Sequence, residues 1–247
     1  MSLIELRGVS HRFRDGTLGL DSVSLEIRRG EFVLVAGRNG CGKTLLVRHM
    51  NGLVAPTAGE VLVDGVPVAR DGLRARVTVG MVFQDAEAQI VGETVFEDAA
   101  FGPRNLGLPE AEVRSRVRRD LERLGLAERS ESPAHILSGG EKRRLSIASV
   151  LTMNPEALVL DEPLEALDYP GAVAVLQALR RLHEEGRTIV VVTHDLGQIA
   201  AHATRLLLME RGRVARDDAP GALLAEVEAY GVRRPPQGDP LTWLTDG

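Results

Sequence analysis

The sequence has little cysteine, few aromatic residues and no excess of basic charge. One cysteine in 247 residues excludes an intrachain disulfide and indicates a reducing compartment. Aromatic residues make up only 3%, so leucine, valine, isoleucine and alanine must form most of the core. The net charge of -5 argues against broad nucleic-acid binding, which usually needs a basic surface, although a local basic patch would escape this count. We therefore expect no nucleic-acid partner.

Long apolar runs are also missing. The longest, TIVVVT, has the length of a strand, whereas a membrane span needs roughly 18 residues. The N-terminal stretch MSLIELRGVSHRF is interrupted by charged and polar residues and does not read as a signal peptide. A role at a membrane would therefore need a separate, membrane-embedded partner.

The hydrophobic pattern predicts strands that alternate with helices. EFVLVA, ALVLDEP and TIVVVT are continuous apolar runs typical of buried strands, and helical patterns separate them. This alternation predicts an α/β fold with a parallel sheet. Residues 93–153 have helical character and suggest an inserted helical subdomain. The tail from Pro220 is predicted to hold one short helix, GALLAEVEAY, followed by a linker or arm.

The segment GRNGCGKT, residues 37–44, follows a predicted strand and precedes a predicted helix, which is the context of a phosphate-binding loop. Glycines let the backbone turn so that N–H groups converge on phosphate oxygens, and the helix N-terminus favours negative charge. Lys43 is expected to reach the β and γ phosphates, and Thr44 to offer its hydroxyl to Mg²⁺. The alternative is a glycine turn with an incidental lysine.

Two further stretches add chemistry. ALVLDEP ends a buried strand in Asp161, a candidate Mg²⁺ ligand, and Glu162, a candidate general base. By itself this could be an acidic turn. In LSGGEKRRLSIASVL, the residues Ser138, Gly139 and Gly140 stand at the N-terminus of a predicted helix, where free N–H groups form a second anion site. Taken alone, this stretch is equally consistent with a helix cap.

The three motifs together resemble the nucleotide-binding subunit of an ABC transporter, over at least residues 3–218. The resemblance implies a RecA-like P-loop NTPase core with an antiparallel β subdomain and an inserted α-helical subdomain. It also implies ATP and Mg²⁺ as cofactors. The expected nucleotide-binding residues are Phe13, which matches the aromatic that stacks on adenine, Gly37, Arg38, Asn39, Gly40, Cys41, Gly42, Lys43, Thr44, Leu45, Ser138, Gly139 and Gly140.

The same resemblance assigns catalytic and metal-binding roles. Glu162 matches the catalytic base, and His194 matches a switch histidine at the γ-phosphate. Gln84 matches a glutamine that senses the γ-phosphate, so it is placed with Thr44 and Asp161 as a metal residue. Asp168 matches a loop that crosses the dimer interface, and the signature loop at residues 138–140 matches one that reaches the site of the opposite subunit.

A finer resemblance is to the energy-coupling factor (ECF) ATPases, which serve importers of vitamins and of metal ions such as cobalt. It is carried by MVFQDAEAQIVGETVFEDAAFGPRNLGLP, with a second glutamine at Gln89, and by RHMNGLVAPTAGEVLVDG. Three positions depart from the usual pattern. Ala86 replaces a proline and would loosen the turn after Gln84. Glu165 replaces a small residue and would disturb or add cross-subunit contacts. Cys41 replaces serine or another small residue.

The expected domains are residues 1–218, with a core at 1–84 and 155–218 and a helical insert at about 90–153, followed by a C-terminal helix and tail at 219–247. The expected function is ATP hydrolysis that powers ECF-type import of a vitamin, such as biotin, or a transition-metal ion. The expected partners are a second ATPase subunit, with a homodimer favoured over a paralogue, and two membrane subunits, one transmembrane and one substrate-binding. The chain would lie at the cytoplasmic face of the membrane.

Several alternatives stay open at this point. The chain could serve another ABC importer, or act as a non-transport ABC ATPase. A simple P-loop kinase or GTPase would not explain LSGGE or His194. We also expect Cys41 to carry a reactive thiolate beside Lys43, Trp243 to join a small apolar cluster or serve as an anchor, and residues 84–105 to dock the membrane partner.

Overall fold

The structure is a computed structural model that describes residues 2–165, 167–197 and 199–235. Its elements follow in chain order: β1 (Ser2–Arg12), β2 (Leu18–Arg28), β3 (Phe32–Gly37), α1 (Lys43–Met50), β4 (Ala58–Val63), β5 (Val66–Pro67), α2 (Gly72–Thr78), β6 (Val79–Val82), α3 (Val95–Asn105), α4 (Glu110–Arg123), α5 (Gly139–Leu151), β7 (Ala157–Asp161), α6 (Tyr169–Glu184), β8 (Thr188–Val192), β9 (Arg205–Glu210), β10 (Arg213–Asp218) and α7 (Pro220–Leu223).

The larger sheet has the order β10-β9-β3-β8-β7-β6, and its strands are parallel except for β10 at one edge. The three apolar runs predicted as buried strands are β3, β7 and β8, and every residue in them is buried. Strands covered on both faces need apolar side chains throughout, which explains the continuous runs. The predicted α/β class with a parallel sheet is confirmed.

The smaller sheet is antiparallel, with the order β2-β1-β4-β5. It faces the larger sheet across helix α1, and one apolar cluster joins residues of both sheets to Leu46, Val47 and Met50 of that helix. The helix that follows the phosphate loop is therefore held between two sheets. This arrangement fixes the position of the loop at its N-terminus.

The other face of the large sheet packs against α3, α4, α5 and α6 in a second apolar cluster. As predicted, α4 buries Val113, Val117 and Leu121 at helical spacing and ends before Gly125, whose φ of 65° suits a glycine. Two helices start with capping boxes, at Thr94 for α3 and at Ser138 for α5. Among the described residues, no helix is both long and apolar enough to cross a bilayer.

One helix was not predicted, and one local prediction was wrong. Helix α2 was not foreseen, although Asp71 caps it by accepting a hydrogen bond from the Arg74 N–H at 2.9 Å. The single C-terminal helix is instead α7 followed by a short 3₁₀ turn at Val227–Tyr230. A ten-residue helix is marginal by itself, and burial of Leu223 and Val227 in the large core determines the path of the chain here. Trp243 lies outside the described residues.

Candidate functional site

The order of the strands explains how distant residues meet. Strands β3, β8, β7 and β6 are consecutive neighbours in the sheet. The phosphate loop follows β3, His194 follows β8, Glu162 follows β7 and Gln84 follows β6. Because carboxyl ends of parallel strands lie at one edge of the sheet, these groups converge there.

A cleft of about 610 Å³ opens at this edge. It brings together eleven of the residues predicted to bind nucleotide or metal: Phe13, Asn39, Gly40, Gly42, Lys43, Thr44, Leu45, Gln84, Asp161, Glu162 and His194. Three other residues line it without having been predicted as site residues: Gly19, Arg48 and Glu165. Gly37, Arg38, Cys41 and the signature residues 138–140 do not line it.

The glycines of the phosphate loop are required by its geometry. Gly37, Gly40 and Gly42 have φ of 150°, 78° and 107°, conformations that residues with side chains rarely adopt. A Cβ on Gly37 would lie 2.4 Å from the Met209 carbonyl oxygen, and one on Gly42 would lie 2.8 Å from the Gly19 carbonyl oxygen. Gly37 therefore shapes the loop from behind, whereas Gly40 and Gly42 also face the cleft.

Lys43 is the first residue of α1, and its side chain folds back into the loop. The ammonium donates hydrogen bonds to the carbonyl oxygens of Gly37 at 2.7 Å and Arg38 at 3.1 Å. The residue is only 7% exposed and lines the cleft. A positive charge at a helix N-terminus, inside a loop of turned glycines, suits the phosphates of a nucleotide.

Oxygen ligands suited to Mg²⁺ lie beside the lysine. Asp161 is 3% exposed, and it lines the cleft together with Thr44. Burial raises the pKa of Asp161, Glu162 raises it further, and Thr44, Arg48 and Lys43 act in the opposite direction. A hydroxyl, a buried carboxylate and the amide of Gln84 are the hard oxygen donors that Mg²⁺ prefers, so the donor set fits the metal.

Glu162 and His194 form a pair across the ends of β7 and β8. Nδ1 of His194 lies 2.9 Å from Oε1 of Glu162, and this contact raises the pKa of His194. The backbone of Glu162 has a φ of 49°, and its N–H donates to the Val192 carbonyl at 2.9 Å. A residue with a side chain in this left-handed region is strained and is typical of functional sites.

Gln84 is held from both sides. Arg143 of α5 donates to the carbonyl oxygens of Phe83 at 2.6 Å and Gln84 at 2.5 Å, while the Gln84 amide donates to Glu165 at 2.6 Å. The second glutamine, Gln89, accepts a hydrogen bond from the Phe83 N–H at 3.0 Å and so fixes the end of β6.

The turn after Gln84 keeps its hydrogen bonds despite Ala86. The Asp85 carboxylate accepts from the Ala88 N–H at 3.0 Å, and the Ala86 carbonyl accepts from the Gln89 N–H at 3.3 Å. The expectation that Ala86 loosens this turn relative to proline stays a prediction.

Phe13 places an exposed aromatic ring at the opening of the cleft. Its side chain is 46% exposed and meets the His11 ring edge-on at a centroid distance of 4.9 Å. A Cβ on Gly19 would lie 2.5 Å from a side-chain atom of Leu45 and 2.7 Å from the ring of Phe13. The absence of a side chain at Gly19 therefore allows the Phe13 ring to occupy this position. A glycine inside a strand signals such a close approach, and this signal could have identified Gly19. The position suits a base that stacks on the ring.

The signature residues lie outside the cleft of their own chain. Ser138 caps α5: its hydroxyl accepts from the Glu141 N–H at 3.2 Å, and Glu141 accepts from the Ser138 N–H at 2.9 Å. Gly139 and Gly140 have no positive φ. Among the described residues, an added Cβ would meet nothing within 4 Å at Gly139 and only ordinary contacts at Gly140. The fold of this chain therefore does not itself require glycine at either position.

Cys41 does not have the character predicted for it. The thiol is 7% exposed and faces away from the cleft, and burial raises its pKa more than Lys43 lowers it. The expected thiolate is thus wrong, because desolvation outweighs the neighbouring positive charge.

We now expect Cys41 to react with iodoacetamide far more slowly in the folded protein than in urea. Labelling rates followed by mass spectrometry provide the measurement. Fast labelling of the folded chain that ATP suppresses would restore the earlier interpretation.

The fold and the site define a P-loop NTPase: a parallel sheet with a phosphate loop, paired carboxylates and a histidine at one edge. The sequence profile of the ABC transporter family matches residues 20–165. The chain therefore belongs to the ABC transporter ATP-binding family, and it is an ATPase.

Known relatives span almost the whole chain. The energy-coupling factor transporter ATP-binding protein EcfA of Methanocaldococcus jannaschii is 40% identical over 92% of this chain and 83% of its own length. A putative ABC transporter ATP-binding protein of Halobacterium salinarum is 46% identical over 94% of this chain and all of its own length.

Solved structures agree with this. One neighbour is cbiO1 from Clostridium perfringens, part of the ABC transporter complex cbiONQ, with a TM-score of 0.83, 35% identity and 92% of each chain covered. Another is a dimeric ATP-binding cassette in a post-hydrolysis state bound to ADP and phosphate. It has a TM-score of 0.79 and 29% identity over 88% of this chain and 98% of its own.

Proposed function

We propose that the chain is the ATP-hydrolysing subunit of an ECF-type importer, which brings a vitamin or a transition-metal ion into the cell. Relatives named as energy-coupling factor ATPases, at 40–47% identity, and the structural neighbour from the cbiONQ complex support this subfamily. The alternative is the ATPase of another ABC importer. The subunit would lie at the cytoplasmic face of the membrane, bound to membrane-embedded subunits.

The cleft holds the groups that one chain would contribute to hydrolysis of a triphosphate. Lys43 and the turned backbone of residues 37–44 hold the phosphates, and Phe13 holds the base. Thr44, Asp161 and Gln84 would hold Mg²⁺, which when bound neutralises charge that develops on the phosphate oxygens. Glu162 lies where it can accept a proton from the attacking water.

His194 completes this arrangement. Its Nδ1 is occupied by Glu162, so the histidine restrains the carboxylate and leaves Nε2 available to a ligand. A raised pKa favours the protonated ring, which can donate a hydrogen bond to a phosphate oxygen. We assign His194 to the γ-phosphate on this basis.

The observation that carries the proposal is the position of the signature loop. Its two glycines are not needed by their own chain, and they begin a helix whose first-turn N–H groups have no partner inside the helix. Open backbone of this kind allows close approach by an anion from outside. Two copies facing each other would let each loop contact the phosphates held by the other chain, with Asp168 near the same face.

ATP would then act as the contact that closes the dimer, and hydrolysis would release it. Moving an equilibrium from 1:99 to 99:1 takes about 5.5 kcal/mol of differential affinity, which contacts from two chains to one γ-phosphate can supply. All motifs are intact, so a homodimer would have two competent sites. We favour the homodimer over pairing with a paralogue.

A surface groove is suited to the membrane partner. It has a volume of about 560 Å³ and continues from the segment after Gln84 to the start of α3 and the turn before α5. We call it the docking groove; its residues are Glu87, Ile90, Val91, Gly92, Glu93, Thr94, Pro133, Ala134, His135 and Lys142. Val91 is 62% exposed, which leaves an apolar surface for a partner helix.

The structure reduces the number of acidic residues that are available to pair with an arginine of that helix. Asp98 is 3% exposed and accepts from the N–H groups of Val91 and Gly92, so it serves the fold. Glu97 belongs to the cap of α3. Asp98 is therefore not available to a partner, and the Glu97 carboxylate is already engaged in the cap. Glu87 and Glu93 remain, and Glu87 already pairs with Lys142 at 2.7 Å.

We expect Glu93→Arg to weaken co-purification with the membrane partner by about tenfold. The substitution removes the attraction between Glu93 and an arginine of the partner, and it adds a repulsion of similar size between two arginines. Detergent-extracted complexes recovered on a tagged chain would measure this. The matched control is Glu26→Arg, at an exposed position of β2 outside the groove, which should leave recovery unchanged. ATPase activity of the isolated subunit should hardly change, and its loss with the complex intact would place Glu93 in the nucleotide site instead.

The proposed function as a whole is tested by isolating the tagged chain from membranes of its host. We expect it to bring down a multi-span membrane protein. Liposomes holding that complex should take up a vitamin or a metal ion only with ATP. A chain that hydrolyses ATP but recovers no membrane protein would instead fit a non-transport ABC ATPase.

A further inference from the structure

Glu165 is a cleft residue to which the proposed function gives no role. It stands three residues after Glu162 in the same turn, and its N–H donates to the Glu162 carbonyl at 3.2 Å. Its carboxylate accepts a hydrogen bond from Nε2 of Gln84 at 2.6 Å. The effect on the subunit interface stays a prediction, and the structure adds this contact within the chain.

This contact determines how the Gln84 side chain is turned. An ionised carboxylate can only accept hydrogen bonds, so the amide end that faces Glu165 must be the NH₂ group. The other end, Oε1, is left available to a ligand. A serine or an alanine at position 165 would impose no such choice, because a hydroxyl accepts and donates and a methyl group does neither.

The backbone of Gln84 is fixed independently. The guanidinium of Arg143 binds its carbonyl oxygen at 2.5 Å and that of Phe83 at 2.6 Å. Arg143 is 4% exposed, so this anchor belongs to the interior of the protein. Arg143 of α5 holds the backbone of Gln84, and Glu165 determines the orientation of the Gln84 side-chain amide.

We propose that Glu165 is a positioning residue for Gln84, and that it holds the amide so that Oε1 faces the metal ion of bound Mg-ATP. The proposal rests on the function proposed above. Gln84 lines the cleft beside Thr44 and Asp161, the other two residues assigned to the metal. Glu165 therefore acts through Gln84 and does not itself touch the metal.

The test measures nucleotide binding rather than turnover. The affinity of the full chain for AMP-PNP is determined by calorimetry with saturating Mg²⁺ and again with EDTA. The ratio of the two affinities is the gain due to the metal. For Glu165→Ala we expect this gain to fall about 3- to 10-fold, as suits one exposed hydrogen bond to a charged group. The affinity in EDTA should not fall, because the substitution removes a negative charge from the cleft that binds the phosphates.

Three comparison variants separate orientation from charge and from structure. Glu165→Gln should lose less of the gain than Glu165→Ala, since its amide can still accept from Gln84 but also permits the flipped orientation. In a Gln84→Ala background, Glu165→Ala should cause no further loss. Glu184→Ala removes an exposed carboxylate on α6 that pairs with Arg180, and it should leave the gain unchanged.

Four results would overturn the proposal. These are an unchanged gain in Glu165→Ala, an increased gain, equal losses in Glu165→Gln and Glu165→Ala, and a loss that persists without the Gln84 amide. The second would mean that Glu165 restrains Gln84 from the ligand, and the third that only its charge matters. If the unsubstituted chain shows no affinity for AMP-PNP in either condition, the proposed function fails, and this inference with it.

Discussion

Glu162→Gln should retain ATP binding and lose hydrolysis by roughly 10²- to 10⁴-fold, because the amide keeps the shape of the side chain but cannot accept a proton from water. The backbone at this residue is fixed by its left-handed turn and its bond to Val192, so the substitution should not move the loop. The variant should accumulate as a dimer in the presence of ATP and Mg²⁺. Phosphate release and size-exclusion chromatography measure the two effects.

The same variant gives a second, independent readout. The Glu162 carboxylate raises the pKa of His194. Without its charge, the pKa of this ring should fall toward the ordinary histidine value, which NMR titration of the imidazole would show. Glu185→Gln, at the C-terminal end of α6, is the matched control and should change none of these quantities. Turnover in Glu162→Gln equal to that of the unsubstituted chain would remove Glu162 as the base.

Lys43→Met should abolish measurable ATP binding. The substitution removes two hydrogen bonds to charged phosphate oxygens, and each contributes about 1.5–3 kcal/mol. The affinity for ATP should therefore fall on the order of 10²-fold or more. Methionine has a similar length and fills the same space. It cannot donate to the Gly37 and Arg38 carbonyls that now hold the ammonium, which adds a small cost in stability. Equilibrium binding of ATP to the isolated chain, with thermal unfolding alongside, gives both values.

Lys142 is the one other lysine of the sequence, so the same substitution there serves as a matched control. Lys142→Met removes the same charge from the docking groove, where the ammonium pairs with Glu87. It should leave ATP binding by the isolated chain intact. Similar losses in the two variants would mean that net charge, and not the position of Lys43, governs affinity.

Local sequence determined much of the fold and the main chemistry. Short continuous apolar runs that end at turn residues are typical of strands covered on both faces, which predicted β3, β7 and β8. The glycines of residues 37–44 mark backbone conformations that other residues avoid, and their spacing between a predicted strand and a predicted helix predicted the phosphate loop. These features depend on neighbours along the chain, and the sequence contains them directly.

Tertiary structure decided properties that depend on what packs against a residue. Cys41 sits in a positively charged loop, yet burial by surrounding residues outweighs that charge. Asp98 belongs to an acidic stretch of the sequence, but folding brings it to two backbone N–H groups and to Ser149 at 2.6 Å. Desolvation and long-range hydrogen bonds are absent from a local pattern.

The residues of the cleft also depend partly on local sequence and partly on tertiary structure. The sequence identified Glu162 as a candidate from its place at the end of a buried strand, and the resemblance to ABC ATP-binding subunits added Gln84 and His194. Only the order β3-β8-β7-β6 makes these strand ends neighbours. The bond between Gln84 and Glu165 joins residues 81 positions apart, and no local rule could place them at 2.6 Å. The sequence alone thus determined which groups can act on a triphosphate, and strand order, which brings distant strand ends to one edge of the sheet, decided which of them act together.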